Sequence, residues 1–252
     1  MTDSLNVFPS LCSSTKRSAP KDTVAPLPHG FTRSKYGVLL RKNWLDATFH
    51  FCSKGTYNTL LADYLCHQYQ PFVFVDIGAN QGLYSILSAQ NMYCQHVVAF
   101  EPVSSTYSLL KTNISANRVS DIVHPVQAAV SLETGSTTIT KKLGHSGAAS
   151  LRTLPRWFHI SETISTLGPD ALRSYIPSTS NLIIKVDVEG HEKVVFEALA
   201  SAGALNTAKA VFYEVNRGWS KEHALESILR EYGFTDFTRT SPKTHHDVLA
   251  TR

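Results

Sequence analysis

Two groups of residues in this 252-residue sequence have the types and spacing to act on a small ligand. The first group is a glycine-containing segment at 76–82 (DIGANQG), followed nineteen residues after its last glycine by Glu101. The second is the acidic stretch 185–192 (KVDVEGHE), followed by 214–216 (EVN). The glycines favour close approach of the backbone to a ligand, and the carboxylates favour hydrogen bonding, proton transfer or metal binding.

The glycine segment lies between an apolar run and the start of a helix, which is where phosphate and nucleoside sites are found. Gly78 and Gly82 allow a sharp turn, and the following helix presents free N–H groups and a partial positive charge. Asn80 stands at the middle of a Gly-x-x-x-Gly spacing, which differs from the Gly-x-Gly-x-x-Gly of a dinucleotide site. We predict a polar or anionic ligand group here, and a ligand-free tight turn is the structural alternative.

Glu101 falls at the end of the next predicted strand. An acidic residue at this distance from the glycine turn is the one that hydrogen-bonds the ribose hydroxyls in a mononucleotide-binding half-fold. A solvated carboxylate at a strand end is the alternative. Together with the turn, Glu101 predicts a nucleoside site.

The second group is predicted to lie at the carboxyl edge of the same sheet, where ligands bind in open α/β folds. Asp187, Glu189, His191 and Glu214 are therefore expected to converge. Asp187 and Glu214 could join Asn216 as hard oxygen ligands of a Mg²⁺-like ion, while His191 could act as a general base. For each residue alone, an ion pair or a helix cap is the structural alternative.

Alternating strands and helices must position these residues. Buried strands are predicted at 72–75, 97–100, 122–130, 182–186 and 210–215, and helices at 58–69, 82–90, 104–117, 191–200 and 221–232. Ser104 or Ser105 is placed to cap the third of these helices. Segments 234–240 and 247–251 form a closing hairpin, so the pattern predicts a mostly parallel sheet with an antiparallel edge.

Regions outside this alternation differ in composition. Residues 1–30 are rich in Ser, Pro, Thr and Lys and predict a flexible N-terminal arm, which leaves 31–252 as one domain. An insertion at 141–180 contains several Gly and Pro residues and is the expected source of substrate-facing loops.

Composition excludes several classes of protein. The net charge of +4 comes from basic residues scattered along the chain, which does not predict a nucleic-acid-binding stripe. The four cysteines stand far apart, so we expect neither a zinc site nor a disulfide framework, and a reducing, cytoplasmic location fits. A membrane span is not expected, because no run of 18 apolar residues occurs.

Taken together, these motifs resemble the FkbM-type family of S-adenosylmethionine-dependent methyltransferases. The resemblance rests on segments 74–85, 100–102, 184–192 and 213–216, with a further family-like element at 147–150. It implies a class I methyltransferase (Rossmann-like) fold: α/β, with a mostly parallel seven-stranded sheet, helices on both faces and an antiparallel C-terminal hairpin. It also implies methylation of a hydroxyl on a sugar, glycolipid or small metabolite.

The resemblance gives each candidate residue a role. The cofactor, S-adenosylmethionine, is expected at Asp76, Gly78, Asn80, Gly82, Glu101 and Asp187, with Gln127 or Ala128 bordering the adenine. A bare alcohol is a poor nucleophile, so its proton must be removed or its oxygen polarised. Those tasks fall to the catalytic candidates Asp187, Glu189, His191 and Glu214. The expected partner is a small-molecule or glycan acceptor and not a nucleic acid, and such a fold is compatible with an oligomer.

Two other functions use the same architecture. A nicotinamide-dependent oxidoreductase is disfavoured by the glycine spacing. A non-catalytic cofactor-binding module would keep the turn and Glu101 without turnover, and binding measured beside activity separates it from an enzyme.

Overall fold

The structure, a computed structural model, describes residues 15–17, 27–54, 59–142, 149–150, 159–178, 181–216 and 222–252. Its strands are β1 (Phe31–Arg33), β2 (Leu39–Arg41), β3 (Phe72–Ile77), β4 (Cys94–Phe100), β5 (Val123–Val126), β6 (Ala129–Val130), β7 (Gly135–Lys142), β8 (Ala149–Ser150), β9 (His159–Leu167), β10 (Leu182–Val186), β11 (Ala208–Asn216), β12 (Asp236–Arg239) and β13 (His245–Thr251). Its helices are α1 (Ala47–Lys54), α2 (Thr59–Cys66), α3 (Leu83–Gln90), α4 (Ser104–Ala116), α5 (Pro169–Tyr175), α6 (Glu192–Ser201), α7 (Ala204–Thr207) and α8 (Glu222–Glu231).

The main sheet has seven strands in the order β12-β13-β11-β10-β3-β4-β5. β13 is antiparallel to both of its neighbours, whereas β11, β10, β3, β4 and β5 pair in parallel. The chain crosses to opposite sides of β3 to build β4–β5 and β10–β11. Ligands bind at such a switch point, outside the carboxyl ends of the strands.

Helices cover both faces of this sheet because successive strand residues point to opposite sides. Phe72 and Phe74 of β3 pack into one core with α2, α3 and α4. Val73 and Val75 pack into the other core with α5, α6 and α8. β3 is buried at every position, which explains why its sequence is a continuous apolar run.

A second sheet differs from the sequence-based prediction. The segment 122–130, predicted as one strand, divides into β5 of the main sheet and β6, which pairs with β9 in a four-stranded sheet of order β6-β9-β7-β8. β7 pairs antiparallel with β9 along its whole length, so residues 141–142 and 159–167 of the insertion are strand and not loop. Residues 143–148 and 151–158 of the insertion, including part of the family-like element at 147–150, lie outside the described residues.

The predicted cap of α4 is also wrong. The N-cap is Val103, and no side chain caps the helix from that position. A carboxylate from β9 does so instead, since Glu162 accepts a hydrogen bond from the Ser104 N–H at 2.9 Å. Sequence proximity could not reveal this partner, because Glu162 lies 58 residues away.

The described parts of the N-terminal region contact the domain. Lys16 forms an antiparallel bridge with Asn91, and the Thr15 hydroxyl donates to the Cys66 carbonyl at 2.8 Å. Cys66 is disulfide-bonded, with its partner outside the described residues, so a disulfide is present although cysteine spacing predicted no disulfide framework. A disulfide requires closeness in space and not in sequence, so cysteine spacing no longer supports a reducing compartment.

No helix among the described residues is both long enough and apolar enough to cross a lipid bilayer.

Candidate active site

The glycine turn joins the carboxyl end of β3 to α3, as predicted from its sequence. Gly78, Asn80 and Gly82 all have positive φ angles of 79°, 51° and 85°. A Cβ atom at Gly78 would lie 2.0 Å from the Asp187 carbonyl oxygen, so only glycine fits between β3 and the loop after β10. The turn therefore brings the two sequence-predicted groups into direct contact.

Glu101 immediately follows β4 and closes the side of this turn. One carboxylate oxygen accepts the Asn80 N–H and the other accepts the Val103 N–H, both at 3.0 Å. The residue is 6% exposed, and burial raises the pKa of its carboxyl to about 7 against the opposing effect of these hydrogen bonds. Each oxygen keeps a second lone pair for a ligand hydroxyl.

A cleft of about 950 Å³, part of it open to solvent, runs along the carboxyl edge of the sheet. The turn, Glu101 and the loop after β10 form its polar side, and apolar residues of α3 and the second sheet form the rest. The lining includes Gly78, Ala79, Asn80, Gln81, Leu83, Tyr84, Phe100, Glu101, Ala128, Val130, Ile139, Lys185, Asp187, Glu189 and His191.

A buried lysine lies beneath the turn. The Lys185 ammonium is 3.2 Å from Asp76 Oδ1 and 3.4 Å from Asp187 Oδ2, and it donates to the Gly78 carbonyl at 3.0 Å. Burial by itself would lower the pKa of Lys185, but Asp76 and Asp187 outweigh burial and raise it. Asp76 also accepts a hydrogen bond from the Ser85 hydroxyl at 2.6 Å. We call Asp76, Ser85 and Lys185 the lysine clamp.

A group of carboxylates lies beside the clamp, at the ends of β10 and β11. Asp187, Glu189 and Glu214 each place an oxygen within 4.8 Å of the others. Asp247 is the cross-strand partner of Glu214 in the β11–β13 pair and faces the same group. We call these four residues the carboxylate group.

Like charges in this group change its protonation. Burial, reinforced by Glu214 and Asp187, raises the pKa of Glu189 to about 9. Burial and neighbouring carboxylates also raise the pKa values of Glu214 and Asp247 to about 7 each. His245 partly offsets this by hydrogen bonding to Glu214, whose other oxygen is buried without a hydrogen-bond partner. The carboxylate group thus carries fewer charges at neutral pH than its composition suggests.

His191 precedes α6 and lines the cleft. Burial lowers the pKa of its imidazole, so the ring is neutral at pH 7. Its Nε2 atom is buried and has no hydrogen-bond partner in the described structure. A neutral imidazole with a free ring nitrogen has the chemistry of a general base.

The structure separates the predicted site residues into two sets. Gly78, Asn80, Glu101, Ala128, Asp187, Glu189 and His191 line the cleft. Asp76 instead lies in the lysine clamp, and Gly82 packs against Leu110, where a Cβ would lie 2.4 Å from Leu110 Cδ1. Glu214 is buried in the carboxylate group, and Asn216 ends β11 two residues later.

Gln127 and Ala128, which were alternatives for the adenine side, have different positions. Ala128 is buried in the cleft wall. Gln127 is exposed and donates a hydrogen bond to the Ser104 hydroxyl at 2.9 Å. Of the two, Ala128 is therefore the residue that lines the cleft.

Sequence reasoning missed several contributors to this site. Lys185 had a usable signal, since a charged residue within an otherwise apolar buried strand needs a buried partner. Asp247 had none, because it reaches the site only through the antiparallel pairing of β13 with β11. Thr48 and Cys52 of α1 line the cleft from a region that was assigned no role.

Comparisons with known proteins show a similarity in family and in fold. A family profile described as Methyltransferase FkbM domain matches residues 76–235. The crystal structure of methyltransferase FkbM from Methylobacillus flagellatus KT has a TM-score of 0.52 and 14% identity, covering 81% of this chain and 52% of that chain. A protein from Pyrococcus horikoshii has a TM-score of 0.50 and 16% identity, covering 87% of this chain and 70% of that chain.

Precorrin-6y C5,15-methyltransferase from Geobacter metallireducens GS-15 is also similar, with a TM-score of 0.48, 13% identity and coverage of 79% of this chain and 90% of that chain. None of the curated proteins matches the sequence. At these identities the likeness concerns the fold alone. The family match and the observed sheet topology confirm the predicted α/β class I methyltransferase architecture with its antiparallel C-terminal strands.

Proposed function

The chain belongs to the FkbM methyltransferase family, and from this premise we propose that it transfers a methyl group from S-adenosylmethionine to a hydroxyl oxygen. The acceptor we propose is a sugar, a glycolipid or a small metabolite. The observation that carries the proposal is the position of Glu101, whose carboxylate lines the cleft directly beside the glycine turn.

The residues around the turn fit the nucleoside half of the cofactor. Each Glu101 oxygen is fixed by one backbone N–H and has a lone pair left for a ribose hydroxyl. Ala128 gives an apolar wall at the end of the third parallel strand, where the adenine would lie. Gly78 and Asn80 allow the backbone to approach the amino-acid end of the ligand.

When bound, the cofactor supplies a methyl group already activated on a sulfonium. The protein must then align an acceptor hydroxyl with that methyl group. It must also remove the proton of that hydroxyl as the carbon–oxygen bond forms and the carbon–sulfur bond breaks. His191 is the base that the site favours, because its ring is neutral and its Nε2 is unpartnered. Glu189 is protonated at neutral pH, since its pKa is raised to about 9, and it serves as a hydrogen-bond donor to the acceptor.

The carboxylate group also contains the oxygen atoms that a divalent cation would bind at this site. Asp187, Glu189 and Glu214 offer oxygen ligands of the kind that Mg²⁺ prefers. Under our proposal His191 removes the proton, so methyl transfer persists after treatment with EDTA. Activity that EDTA abolishes and Mg²⁺ restores would reassign this step to a metal-polarised oxygen.

Cofactor binding is tested by titrating S-adenosylhomocysteine and NAD in parallel by calorimetry. We expect the first to bind and the second not to bind. Glu101→Gln should weaken S-adenosylhomocysteine binding by about 10- to 100-fold, as expected for hydrogen bonds to a charged group. Glu133→Gln, at an exposed position outside the cleft, is the matched control. Binding of NAD alone would support an oxidoreductase instead.

The reaction is tested with methyl-labelled S-adenosylmethionine and a panel of hydroxylated acceptors. His191→Ala should reduce the rate by about 10²- to 10⁴-fold, the usual contribution of a general base, and should leave S-adenosylhomocysteine binding unchanged. His124→Ala, an exposed histidine on β5, is the control. Full activity in His191→Ala would remove the base role, and binding without turnover on every acceptor would support a non-catalytic module.

A further inference from the structure

Exposed apolar side chains project from the segment 27–54, which contains β1, β2 and α1. Leu45 is 89% exposed, Trp44 59% and Phe51 47%. Leu45 and Trp44 stand next to each other in the turn that precedes α1, and Phe51 lies on that helix. Neighbouring large apolar residues at these exposures are typical of a surface that contacts a partner or a membrane.

The same segment contains the excess positive charge of the protein. It has five basic residues and one acidic residue, Asp46, so its net charge of +4 equals that of the entire chain. In the rest of the chain taken as a whole, 19 basic and 19 acidic residues cancel. All five are exposed: Arg33, Lys35, Arg41, Lys42 and Lys54. Asp46 is buried and accepts the Thr48 N–H, so it adds little negative charge to the surface.

The segment is held in place by its own hydrogen bonds and by the core. The backbone N–H of Lys35 donates to the Ser53 carbonyl at 3.1 Å, and that of Lys42 donates to the Gly30 carbonyl at 2.8 Å. Beneath Trp44, Phe49 is fully buried, with its ring centroid 5.2 Å from that of Trp44. The basic and apolar residues therefore belong to one ordered unit.

We propose that the segment 27–54 binds the surface of an anionic lipid bilayer. Leu45, Trp44 and Phe51 enter the interfacial region, where an indole is especially favourable. The five cations contact lipid headgroups, and clusters of four to eight Lys or Arg are the usual signature of such binding. Leu45 favours a bilayer over a nucleic acid, because an exposed aliphatic side chain neither stacks on bases nor pairs with phosphates.

The segment also borders the cleft. α1 contributes Phe51 to the exposed surface and Thr48 and Cys52 to the cleft lining. The membrane interaction does not depend on the chemistry in the cleft, and it can be tested without any turnover.

The test is co-sedimentation of the full chain with two kinds of vesicle: phosphatidylcholine alone, and phosphatidylcholine with about 30% phosphatidylserine. We expect binding to the anionic vesicles only, and release as salt rises from about 0.1 to about 1 M. Lys35→Ser with Lys42→Ser should weaken binding by roughly 25-fold, about fivefold for each charge. Leu45→Ser should also weaken binding, and the nearly complete exposure of Leu45 makes this variant safe for folding.

Matched controls lie elsewhere on the surface. Lys193→Ser with Lys243→Ser removes two exposed cations, and Met92→Ser removes an exposed apolar side chain, so both variants should bind as the wild type does. Equal binding to both kinds of vesicle, or an equal loss in the control variants, would overturn the proposal. A single-stranded oligonucleotide is the further comparison. If the wild type binds it more tightly than it binds the vesicles, and the double variant Lys35→Ser with Lys42→Ser binds it more weakly than the wild type does, the partner is a nucleic acid and the proposal is overturned.

Discussion

The lysine clamp and the carboxylate group are neighbours at the same sheet edge, but the clamp pairs opposite charges whereas the carboxylate group brings like charges together. In the clamp, the one buried cation is shared by Asp76 and Asp187 and also donates to the Gly78 carbonyl. In the carboxylate group, burial raises the pKa values of Glu189, Glu214 and Asp247, and repulsion from Asp187 raises all three further. Removal of one partner from a buried pair is costly because it leaves the other charge uncompensated, whereas carboxylates without a balancing charge are ready to bind a proton or a ligand.

The difference assigns separate tasks to the two regions. The clamp fixes the glycine turn against the loop after β10, because Lys185 contacts both of them. The carboxylate group is left to respond to the acceptor, to protons or to a cation. Substitutions in the clamp should therefore act mainly on stability, and substitutions in the carboxylate group mainly on pH dependence.

Removal of the clamp cation should have the largest effect. Lys185→Met leaves Asp76 buried beside Asp187 without a counter-charge, and breaking such a pair costs about 3–5 kcal/mol of the free energy of unfolding. Chemical denaturation measures this loss. Lys193→Met is the control, since Lys193 pairs with Glu197 at the surface and an exposed pair contributes about 1 kcal/mol or less. Similar losses of unfolding free energy in both variants would contradict the stabilising role of the lysine clamp.

The next prediction concerns Gly78, where the glycine turn contacts the loop after β10. Gly78→Ala adds a Cβ that would lie 2.0 Å from the Asp187 carbonyl, at a φ of +79°. Left-handed backbone alone costs a non-glycine residue about 1–2 kcal/mol, so we expect a loss of at least about 2 kcal/mol from thermal or chemical unfolding. Gly135→Ala has negative φ and only ordinary contacts, and it should be close to neutral. Wild-type stability in Gly78→Ala would mean that the turn and the loop are not in contact.

Glu189→Gln tests the carboxylate group through pH. Folded Glu189 keeps its proton up to about pH 9, whereas in the unfolded chain it loses the proton above its ordinary value of 4.5. The unfolded state therefore binds fewer protons between these values, and the wild type loses stability as pH rises through this window. Glu189→Gln avoids this loss, so it should be more stable than the wild type by about 1 kcal/mol or more at pH 8.

At pH 5 the advantage of Glu189→Gln should be much smaller, because pH 5 lies only just above 4.5, where the unfolded chain begins to lose this proton, while folded Glu189 is still protonated. Denaturation at both pH values measures the difference. Glu133→Gln, at an exposed position, should show no such dependence. An advantage that is equal at pH 5 and pH 8 would remove the electrostatic explanation.

The smallest effect is expected at the rim of the carboxylate group. His245 is mostly exposed and hydrogen-bonds Glu214, which lowers the pKa of Glu214 against the stronger effect of burial. His245→Ala should therefore raise the Glu214 pKa further while changing the free energy of unfolding by less than about 1 kcal/mol. NMR titration of the Glu214 carboxyl carbon follows the pKa. An unchanged titration would show that His245 has no influence on this group.

Local sequence was sufficient for most of the main sheet. The apolar runs at 72–75, 182–186 and 210–215 each correspond to a strand, because strands buried on both faces need apolar residues at nearly every position. The turn at 76–82 was found for a similar reason, since positive φ at Gly78 and Gly82 must be encoded by residues that tolerate it. The second sheet is less evident in the sequence, because β7 and β9 are polar and pair across a long insertion.

The sequence by itself determined the order of elements, the glycine turn and the placement of Glu101, because each depends on neighbours within one strand or one turn. Tertiary structure decided which carboxylates have a partner. Asp76 and Asp187 share Lys185, while Glu214 is opposite Asp247, a residue 33 positions later that only antiparallel pairing brings across from it. Protonation depends on burial and on charges within a few ångströms, and only the folded chain sets those distances.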